Sequence, residues 1–427
     1  MRCDSTKAMK IIIVNKYHYI DGGPERYMFG LSDYLKSLGH EVIPLAMAYS
    51  KNLPSEYDKY FVQPAGGCSE TKLGRLEAGL GTRLKVAAQT IYSMTARKAL
   101  ERLIADTQPD LVYCLNIVNH MSPSVIDAAH KYHVPVVMRL SDYNLICPSH
   151  LFLRDGQICT ECERGYYRSL KYKCVQGSLA ATTCRAAGMY IHKLLGIYKK
   201  VNTYVAPAKF MKDTLVRAGF PEKKIHHIPT FVNSSCWTPR YDNDGYILYF
   251  GRLTPEKGIE FLLRAYAESG VGDPLMIVGD GPDDYVDRLK SGIDEISRGK
   301  VNFLGHKSGE ELQEIVRGAK YVVVPSLWYD NTPNVVYESF AAGKPVVASA
   351  LGGLCEQVTE ETGVLVEPGN ICELTAAITR LSSAPELLDK MGRSARRLVE
   401  QEYGIENHVK RLLGLFEEVI ECRERAK

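Results

Sequence analysis

The sequence predicts an α/β protein built from two doubly wound, parallel-sheet domains. Two observations lead to this prediction. Short apolar runs alternate with segments of helical periodicity, and the alternation occurs once before residue 207 and again after residue 245. The chain of 427 residues is also long enough for two domains, each with its own core. Because ligands bind beyond the carboxyl ends of parallel strands, we expect a cleft between the two domains.

The first series begins near the N-terminus. Its strands are short apolar runs bounded by turn residues, and its helices have apolar residues at helical spacing. The first helix is expected to end at Gly39, a residue favoured at helix C-termini. Strands are predicted at residues 10–15, 41–45, 109–116, 134–138 and 203–207, and helices at 25–38, 83–105, 124–132 and 191–198.

The second series begins near Gly245 and repeats the same alternation. Strands are predicted at residues 246–250, 275–278, 301–304, 321–324 and 346–348, and helices at 258–267, 310–318 and 333–343. Prolines interrupt the periodicity between the two series, and the last segment, 407–421, has an amphipathic helical pattern. The expected organisation is a first domain at 1–207 with a cysteine-rich insert at 147–184, a linker at 208–244, a second domain at 245–405, and a helix at 406–427 that crosses back to the first domain.

The most informative stretch is Trp328 to Ser349, which contains two carboxylates, Asp330 and Glu338, with seven residues between them. A polar turn there leads into the helix that Pro333 opens. Such a turn exposes unpaired backbone N–H groups and the positive end of the helix dipole, which favours a bound phosphate. Glu338 offers only acceptors and suits sugar hydroxyls. The stretch predicts a site for a phosphorylated sugar; the alternative is a capped surface helix between two strands.

Two cations fit the same site. The strand at 246–250 ends at Gly251, and Arg252 and Lys257 follow before the next helix. Both can therefore contact one anion, the arginine through its planar fork and the lysine as a point charge. The alternative for either residue alone is ordinary surface charge.

Glycines mark two further turns of the predicted cleft. Gly22 and Gly23 precede a proline at a helix start, which lets the backbone approach a ligand closely. The strand at 275–278 runs into a tight turn at Gly279. This second turn is a weak dinucleotide fingerprint, because G-x-G-x-x-G is not completed and no acidic residue follows at the right spacing.

Together these segments resemble the retaining nucleotide-sugar glycosyltransferases of family four. The family's acid pair is two glutamates separated by seven residues, whereas the first acid here is Asp330, one methylene shorter. The resemblance covers nearly the whole chain and implies the GT-B architecture, two facing Rossmann-like domains with an interdomain cleft. The matching motifs occur in the family's order: Gly22–Gly23, GRLTPEKG at 251–258, VGDGP at 278–282, FLG at 303–305, PS at 325–326 and the Asp330/Glu338 segment.

The resemblance implies a role for each matched residue. Glu338 would bind the ribose hydroxyls of a UDP- or GDP-sugar donor, and Asp330 would contact the transferred sugar. Cations and helix N–H groups would stabilise the leaving diphosphate, so no catalytic metal is expected. The donor-binding residues implied are Gly22, Gly23, Gly251, Arg252, Lys257, Gly279, Asn334, Val335 and Glu338, and Arg252, Lys257 and Asp330 are also expected to act in catalysis.

The acceptor side departs from the family pattern. Where the family commonly has His-Asp after a strand, this chain has Ser141 and Asp142. Asp142 is a candidate catalytic residue that would orient the sugar or the incoming hydroxyl, with a cap or turn role as the alternative. His120 follows the preceding strand, and a structural role ranks above a catalytic one for it. Retention is implied by the family alone, and no general base is assigned because the leaving phosphate can take the acceptor's proton.

Cysteines concentrate in the insert. Cys159 and Cys162 form a C-x-x-C pair, and Cys147 and Cys174 flank it with eleven residues on each side. Four thiolates in a turn-rich segment with little apolar core would suit a structural zinc ion. Unbound thiols are the alternative, since the spacing is not that of a standard zinc finger.

Charge and composition bear on partners and location. No apolar run approaches the ~18 residues of a membrane span, and the N-terminus lacks the apolar core of a secretory signal, so a cytoplasmic protein is expected. Residues 1–205 hold 26 Lys and Arg against 17 Asp and Glu. This excess would suit an anionic acceptor or the inner face of a membrane, with solvated charge as the alternative and no nucleic-acid pattern. Candidate contacts to a sugar or lipid-linked sugar acceptor are Tyr166, Tyr167, Arg168, Lys171 and Lys173, and the segment 72–85.

Three classes of function follow. The leading hypothesis is a glycosyltransferase of the hexosyltransferase (EC 2.4) type that acts in cell-surface polysaccharide or glycolipid synthesis. A catalytically silent nucleotide-sugar-binding protein stays open, because Ser141 and Asp330 depart from the family. An oxidoreductase with a nucleotide cofactor is disfavoured by the incomplete fingerprint.

Overall fold

The computed structural model describes residues 8–64, 80–118, 120–293 and 299–425. It contains two six-stranded sheets, and all the strands within each sheet run parallel. This arrangement confirms the predicted α/β class with two Rossmann-like domains.

The first sheet is formed by the N-terminal half. Its strands and those of a small hairpin are β1 Lys10–Val14, β2 Glu41–Leu45, β3 Leu111–Cys114, β4 Val136–Arg139, β5 Leu153–Arg154, β6 Gln157–Ile158, β7 Thr203–Ala206 and β8 Ile225–His227. The sheet has the order β2-β1-β3-β4-β7-β8, while β5 and β6 pair antiparallel by themselves. Its helices are α1 Gly23–Ser37, α2 Leu80–Ile91, α3 Met94–Thr107, α4 Ser124–Lys131, α5 Arg168–Tyr172, α6 Leu179–Leu194 and α7 Lys209–Arg217.

The second sheet is formed by the C-terminal half, in the order β11-β10-β9-β12-β13-β14. Its strands are β9 Tyr246–Phe250, β10 Leu275–Val278, β11 Val301–Gly305, β12 Ala319–Val324, β13 Val346–Ser349 and β14 Gly363–Val366. The helices are α8 Ile259–Ser269, α9 Asp283–Ser291, α10 Gly309–Gly318, α11 Asn334–Ala341, α12 Leu354–Gln357, α13 Ile371–Ser382, α14 Pro385–Leu398 and α15 Ile405–Arg425.

Two predicted helices differ from the observed ones. The segment 83–105 is two helices, because the Ser93 side chain accepts a hydrogen bond from the Ala96 N–H and starts α3 separately. The helix predicted at 191–198 ends at Leu194 and begins much earlier, where the Ser178 side chain caps the Ala181 N–H. Gly196, in the left-handed conformation at φ 61°, follows its end.

The segment predicted as a linker has structure of its own. Within 208–244, α7 and β8 extend the first sheet, since Val205 pairs in register with His226. We therefore propose that the connection between the two halves begins after β8; the other domain boundaries stay predictions.

The C-terminal helix α15 packs against the first sheet. The ring of Phe416 lies 5.3 Å from that of Tyr113, edge to face. His408 Nδ1 donates to the Pro229 carbonyl at 2.6 Å, so Nε2 accepts from the Tyr27 hydroxyl at 2.9 Å. Burial lowers the pKa of His408 to about 3, which keeps the ring neutral and this network intact at physiological pH.

Candidate functional site

The loop after β12 meets the first domain at the carboxyl ends of both sheets. Asn331 is buried, and its side-chain amide donates to the Leu140 carbonyl, just after β4, at 3.0 Å. One residue further, the Thr332 hydroxyl lies 3.0 Å from that of Thr230. The loop therefore fixes one wall of a cleft, with Asp330 beside the contact.

A buried ion pair lies at the base of this cleft. Lys257 Nζ is 2.5 Å from the Asp330 carboxylate, and their side chains are only 15% and 9% exposed. The Ser326 hydroxyl donates to the same carboxylate oxygen at 3.2 Å, and the Lys257 ammonium lies 5.3 Å from the centre of the Trp328 ring. Removing one partner from such a pair leaves an uncompensated buried charge, so the two residues hold each other in place.

Arg252 is less constrained than Lys257. Its side chain is 66% exposed and its nearest ionic partner, Glu256, is 3.8 Å away. The backbone after β9, at Gly251, and the backbone after β10, at Gly279, approach each other closely. A Cβ on Gly279 would lie only 1.8 Å from the Gly251 carbonyl oxygen. Glycine at 279 thus lets the two strand ends converge next to an exposed guanidinium that can turn toward an anion.

The N-terminus of α11 opens onto both halves of the molecule. Its N-cap residue is Pro333, and no side chain caps the helix. A Cβ on Gly23 of α1 would lie 3.2 Å from the side-chain amide nitrogen of Asn334. A Cβ on Gly251 would lie 4.0 Å from a methyl group of Val335. Glycine at 23 permits this close approach of the first domain.

Glu338 makes an ion pair across the cleft. Its carboxylate accepts from Arg26 Nη1 at 3.2 Å, and its side chain is 12% exposed. Burial raises the pKa of Glu338, and Arg26 opposes that shift. A desolvated carboxylate held by one exposed cation can exchange that partner for ligand hydroxyls.

Asp142 forms a local turn at the first-domain side. Its carboxylate accepts from the Asn144 N–H at 2.9 Å and from the Asn144 amide at 2.5 Å. The buried Arg185 of α6 donates to the Asn144 carbonyl at 2.7 Å. The turn role suggested as an alternative for Asp142 is thus present, and a contact to ligand stays a prediction.

The remaining sequence candidate on this side, His120, is neutral at physiological pH. Burial lowers the pKa of His120 to about 4, with Lys16 adding to the effect. A neutral, largely enclosed imidazole fits the structural role that the sequence favoured.

Three cleft residues escaped the sequence analysis. Arg26 follows the glycine pair and gave no signal beyond a helix start. Arg139 is buried at the end of β4, 4.1 Å from the centre of the Tyr27 ring, and donates to Ser141 at 3.0 Å. His150 has a positive φ of 60°. Burial lowers its pKa, and the charges of Asp142 and Arg252 are close enough to act on it. The order of charged residues along the chain does not reveal these juxtapositions.

Four of the five insert cysteines, Cys147, Cys159, Cys162 and Cys174, lie near one another as free thiols. The pKa of the Cys162 thiol is raised to about 12, first by burial and then by Cys147, Cys174 and Cys159. No three His, Cys, Asp or Glu side chains in the described ranges stand at ligand spacing for a metal ion. The cluster is therefore a set of neighbouring thiols in this structure.

Comparisons with known proteins point to one family. The profile of "Glycosyl transferases group 1" matches residues 238–398. An uncharacterized glycosyltransferase of Methanocaldococcus jannaschii is 32% identical over 290 residues, covering 60% of this chain and 73% of that protein. An uncharacterized 42.6 kDa protein in the cps region of Klebsiella pneumoniae is 26% identical over 361 residues, covering 82% and 87%.

A solved structure extends the likeness to the whole fold. The Anabaena protein HepE in complex with UDP and glucose superimposes with a TM-score of 0.67 at 16% identity, covering 96% of this chain and all of that one. At this identity the match establishes the GT-B fold. Every helix in the described part of this chain is too short or too polar to cross a bilayer.

Proposed function

This chain belongs to the group 1 glycosyltransferases, and we propose that it transfers a hexose from a nucleoside-diphosphate sugar to an acceptor hydroxyl with retention of configuration, as family four does. One observation carries the proposal. The Lys257–Asp330 pair, the uncapped N-terminus of α11 and the Arg26–Glu338 bridge converge on one cleft. Cations, free helix N–H groups and a desolvated carboxylate are the groups that a nucleotide sugar needs.

The diphosphate is assigned to the N-terminus of α11. The backbone N–H groups of Asn334 and Val335 point along the positive end of the helix dipole, and the Lys257 ammonium is fixed nearby by Asp330. The exposed Arg252 would swing toward the phosphates when the donor binds. These preorganised positive groups stabilise the leaving diphosphate as the glycosidic bond breaks, so we expect no catalytic metal.

The nucleoside is assigned to Glu338. Its carboxylate would accept hydrogen bonds from the two ribose hydroxyls, which replace Arg26 as partners. Asp330 would contact the transferred sugar while keeping Lys257 in place. The Anabaena protein binds UDP and glucose, and we therefore propose UDP as the first base to test, with GDP as the alternative.

The acceptor is assigned to the first-domain side, near Asp142 and Ser141. We propose a sugar or lipid-linked sugar acceptor, used in cell-surface polysaccharide or glycolipid synthesis by a cytoplasmic enzyme at the inner face of the membrane. The family resemblance and the basic first half of the chain support this assignment.

Release of UDP and GDP from a panel of nucleotide sugars, with and without acceptor sugars, tests the proposal. We expect one donor to be turned over, and turnover to fall sharply in Glu338→Ala and in Lys257→Ala. Tight nucleotide binding with no turnover of any donor would instead favour a silent binding protein. Unchanged turnover in both variants would place the donor elsewhere.

We also propose that Cys147, Cys159, Cys162 and Cys174 bind a structural zinc ion. The mutual proximity of the thiols supports this, as does the scarcity of core in the insert, whose two strands have two residues each. Zinc binds thiolates, so the four thiols must lose their protons when the ion binds. They must also draw together, because they do not stand at ligand spacing in this structure.

Metal analysis of the purified chain tests the zinc site. We expect zinc in the native protein and its loss in Cys162→Ser. The control is Cys184→Ser, which changes a neighbouring cysteine of α6 outside the cluster. Native protein without zinc would rule the site out.

A further inference from the structure

The outer side of α6 exposes an unusual amount of apolar surface. Leu194 is 86% exposed and Leu195 is 57% exposed, and Tyr190 and Ile191 of the same helix end are also exposed. The positions 190, 191, 194 and 195 recur at helical spacing and share one side of the helix. Single exposed leucines are common, but a contiguous exposed cluster marks a binding surface.

The short helix α5 adds to this surface. The Tyr190 hydroxyl accepts from the Tyr167 N–H at 3.3 Å, and the rings of Tyr166 and Tyr190 are 5.0 Å apart. Tyr167 is itself 57% exposed. The two helices therefore present their aromatic and aliphatic side chains together, and we name this set, Tyr167, Tyr190, Ile191, Leu194 and Leu195, the α6 patch.

The chain segment that carries the α6 patch is basic. Residues 164–200 contain eight Lys and Arg and no Asp or Glu. Two of the eight are compensated, Arg168 by Glu161 at 2.5 Å and Lys200 by Asp127 at 2.6 Å, and Arg185 is buried. The basic residues of this segment that stay exposed and outside these ion pairs are Arg164, Lys171, Lys173, Lys193 and Lys199.

This composition discriminates between occupants. A second copy would bring the same basic segment against itself, and like charges oppose that contact. A bilayer of anionic lipids offers both complements, a negative surface for the lysines and an apolar layer for the leucines and tyrosines. We propose that the α6 patch docks the protein onto an anionic lipid surface.

The same helix supports the acceptor side of the cleft. On the face opposite the patch, the buried Arg185 donates to the carbonyl and the side-chain oxygen of Asn144 at 2.7 and 3.2 Å, and Asn144 holds Asp142. A docked α6 would thus keep the Asp142 side of the cleft beside the membrane. This extension rests on the proposed function and identifies the acceptor as lipid-linked, whereas docking itself does not depend on it.

Vesicle flotation of the full chain tests the docking. With vesicles of equal parts phosphatidylcholine and phosphatidylglycerol, we expect wild type to float and high salt to weaken binding. The double variant Leu194→Glu, Leu195→Glu should bind at least about tenfold more weakly, because two apolar anchors become anions. The matched control combines Leu38→Glu with Leu53→Glu and adds the same two charges at exposed leucines outside α6, 51% and 49% exposed.

Equal binding of wild type and the double variant, or no binding of wild type to anionic vesicles, would overturn the proposal. A wild-type dimer in solution that the double variant converts to monomer would assign the patch to a second copy instead. Donor turnover with a water-soluble acceptor separates the docking proposal from the proposed function. We expect this turnover to be retained in the double variant. Absence of turnover in wild type would count against the proposed function and would leave the docking result unaffected.

Discussion

The two walls of the cleft are built in different ways. On the second-domain wall, Lys257, Asp330 and Glu338 all follow strand ends of one sheet, within a span that the sequence motifs mark. On the first-domain wall, Arg26 comes from the first turn of α1 and Asp142 from the loop after β4, and side-chain contacts fix both. The second-domain wall, where we propose that the donor binds and which we call the donor wall, is therefore specified by one sheet, whereas the first-domain wall depends on tertiary packing.

The largest effect should come from the donor wall. Lys257→Ala removes the cation nearest the assigned diphosphate and leaves Asp330 buried without its partner. We expect donor turnover to fall by about 10²–10³-fold, as for the loss of one preorganised group at a developing negative charge. Nucleotide release assays measure this, with Lys307→Ala, at an exposed ion pair with Glu311, as the control. A loss of less than threefold would remove Lys257 from the mechanism.

A smaller effect is expected where the walls meet. In Gly23→Ala, the added methyl would lie 3.2 Å from the side-chain amide nitrogen of Asn334, so that side chain must shift by a few tenths of an ångström at the proposed diphosphate site. We therefore expect donor affinity to fall by about two- to tenfold, which corresponds to about 0.4–1.4 kcal/mol. Gly22→Ala should do less, because its methyl meets Pro24 at an ordinary 3.8 Å.

Calorimetric titration with UDP measures this difference. Gly414→Ala is the control for the fold, since an added methyl there contacts nothing within 4 Å. Equal affinity of the Gly23 and Gly22 variants would show that the walls do not close on the ligand as described.

The smallest effect concerns the bridge between the walls. Burial raises the pKa of Glu338 and Arg26 lowers it, so Arg26→Ala should raise the pKa further. Donor binding that needs the ionised carboxylate is present above that pKa and lost as pH falls through it. The acid limb of the UDP affinity profile should therefore move to higher pH in Arg26→Ala, by a modest amount because Arg26 is partly exposed. A shift to lower pH would contradict the assignment of Glu338 as an ionised ligand.

The sequence predicted the fold class, and it predicted that the second-domain candidates would lie together, for a physical reason. Parallel strands align their carboxyl ends, so residues after β9 and β12 must converge, and Lys257 meets Asp330 as a result. It did not predict Arg26 opposite Glu338, because that contact joins residues 312 apart and depends on how the domains pack. The early start of α6 was also missed, since its apolar residues divide between the core and an exposed patch and blur the helical period.

The central claim is that one donor site lies between the two walls, with Glu338 as the nucleoside contact. Titration of UDP into wild type and Glu338→Ala at neutral pH tests it most directly. We expect one UDP site in wild type and a loss of at least about tenfold in the variant, as for the removal of a hydrogen-bonded charged acceptor. Equal affinity in both proteins would contradict the claim.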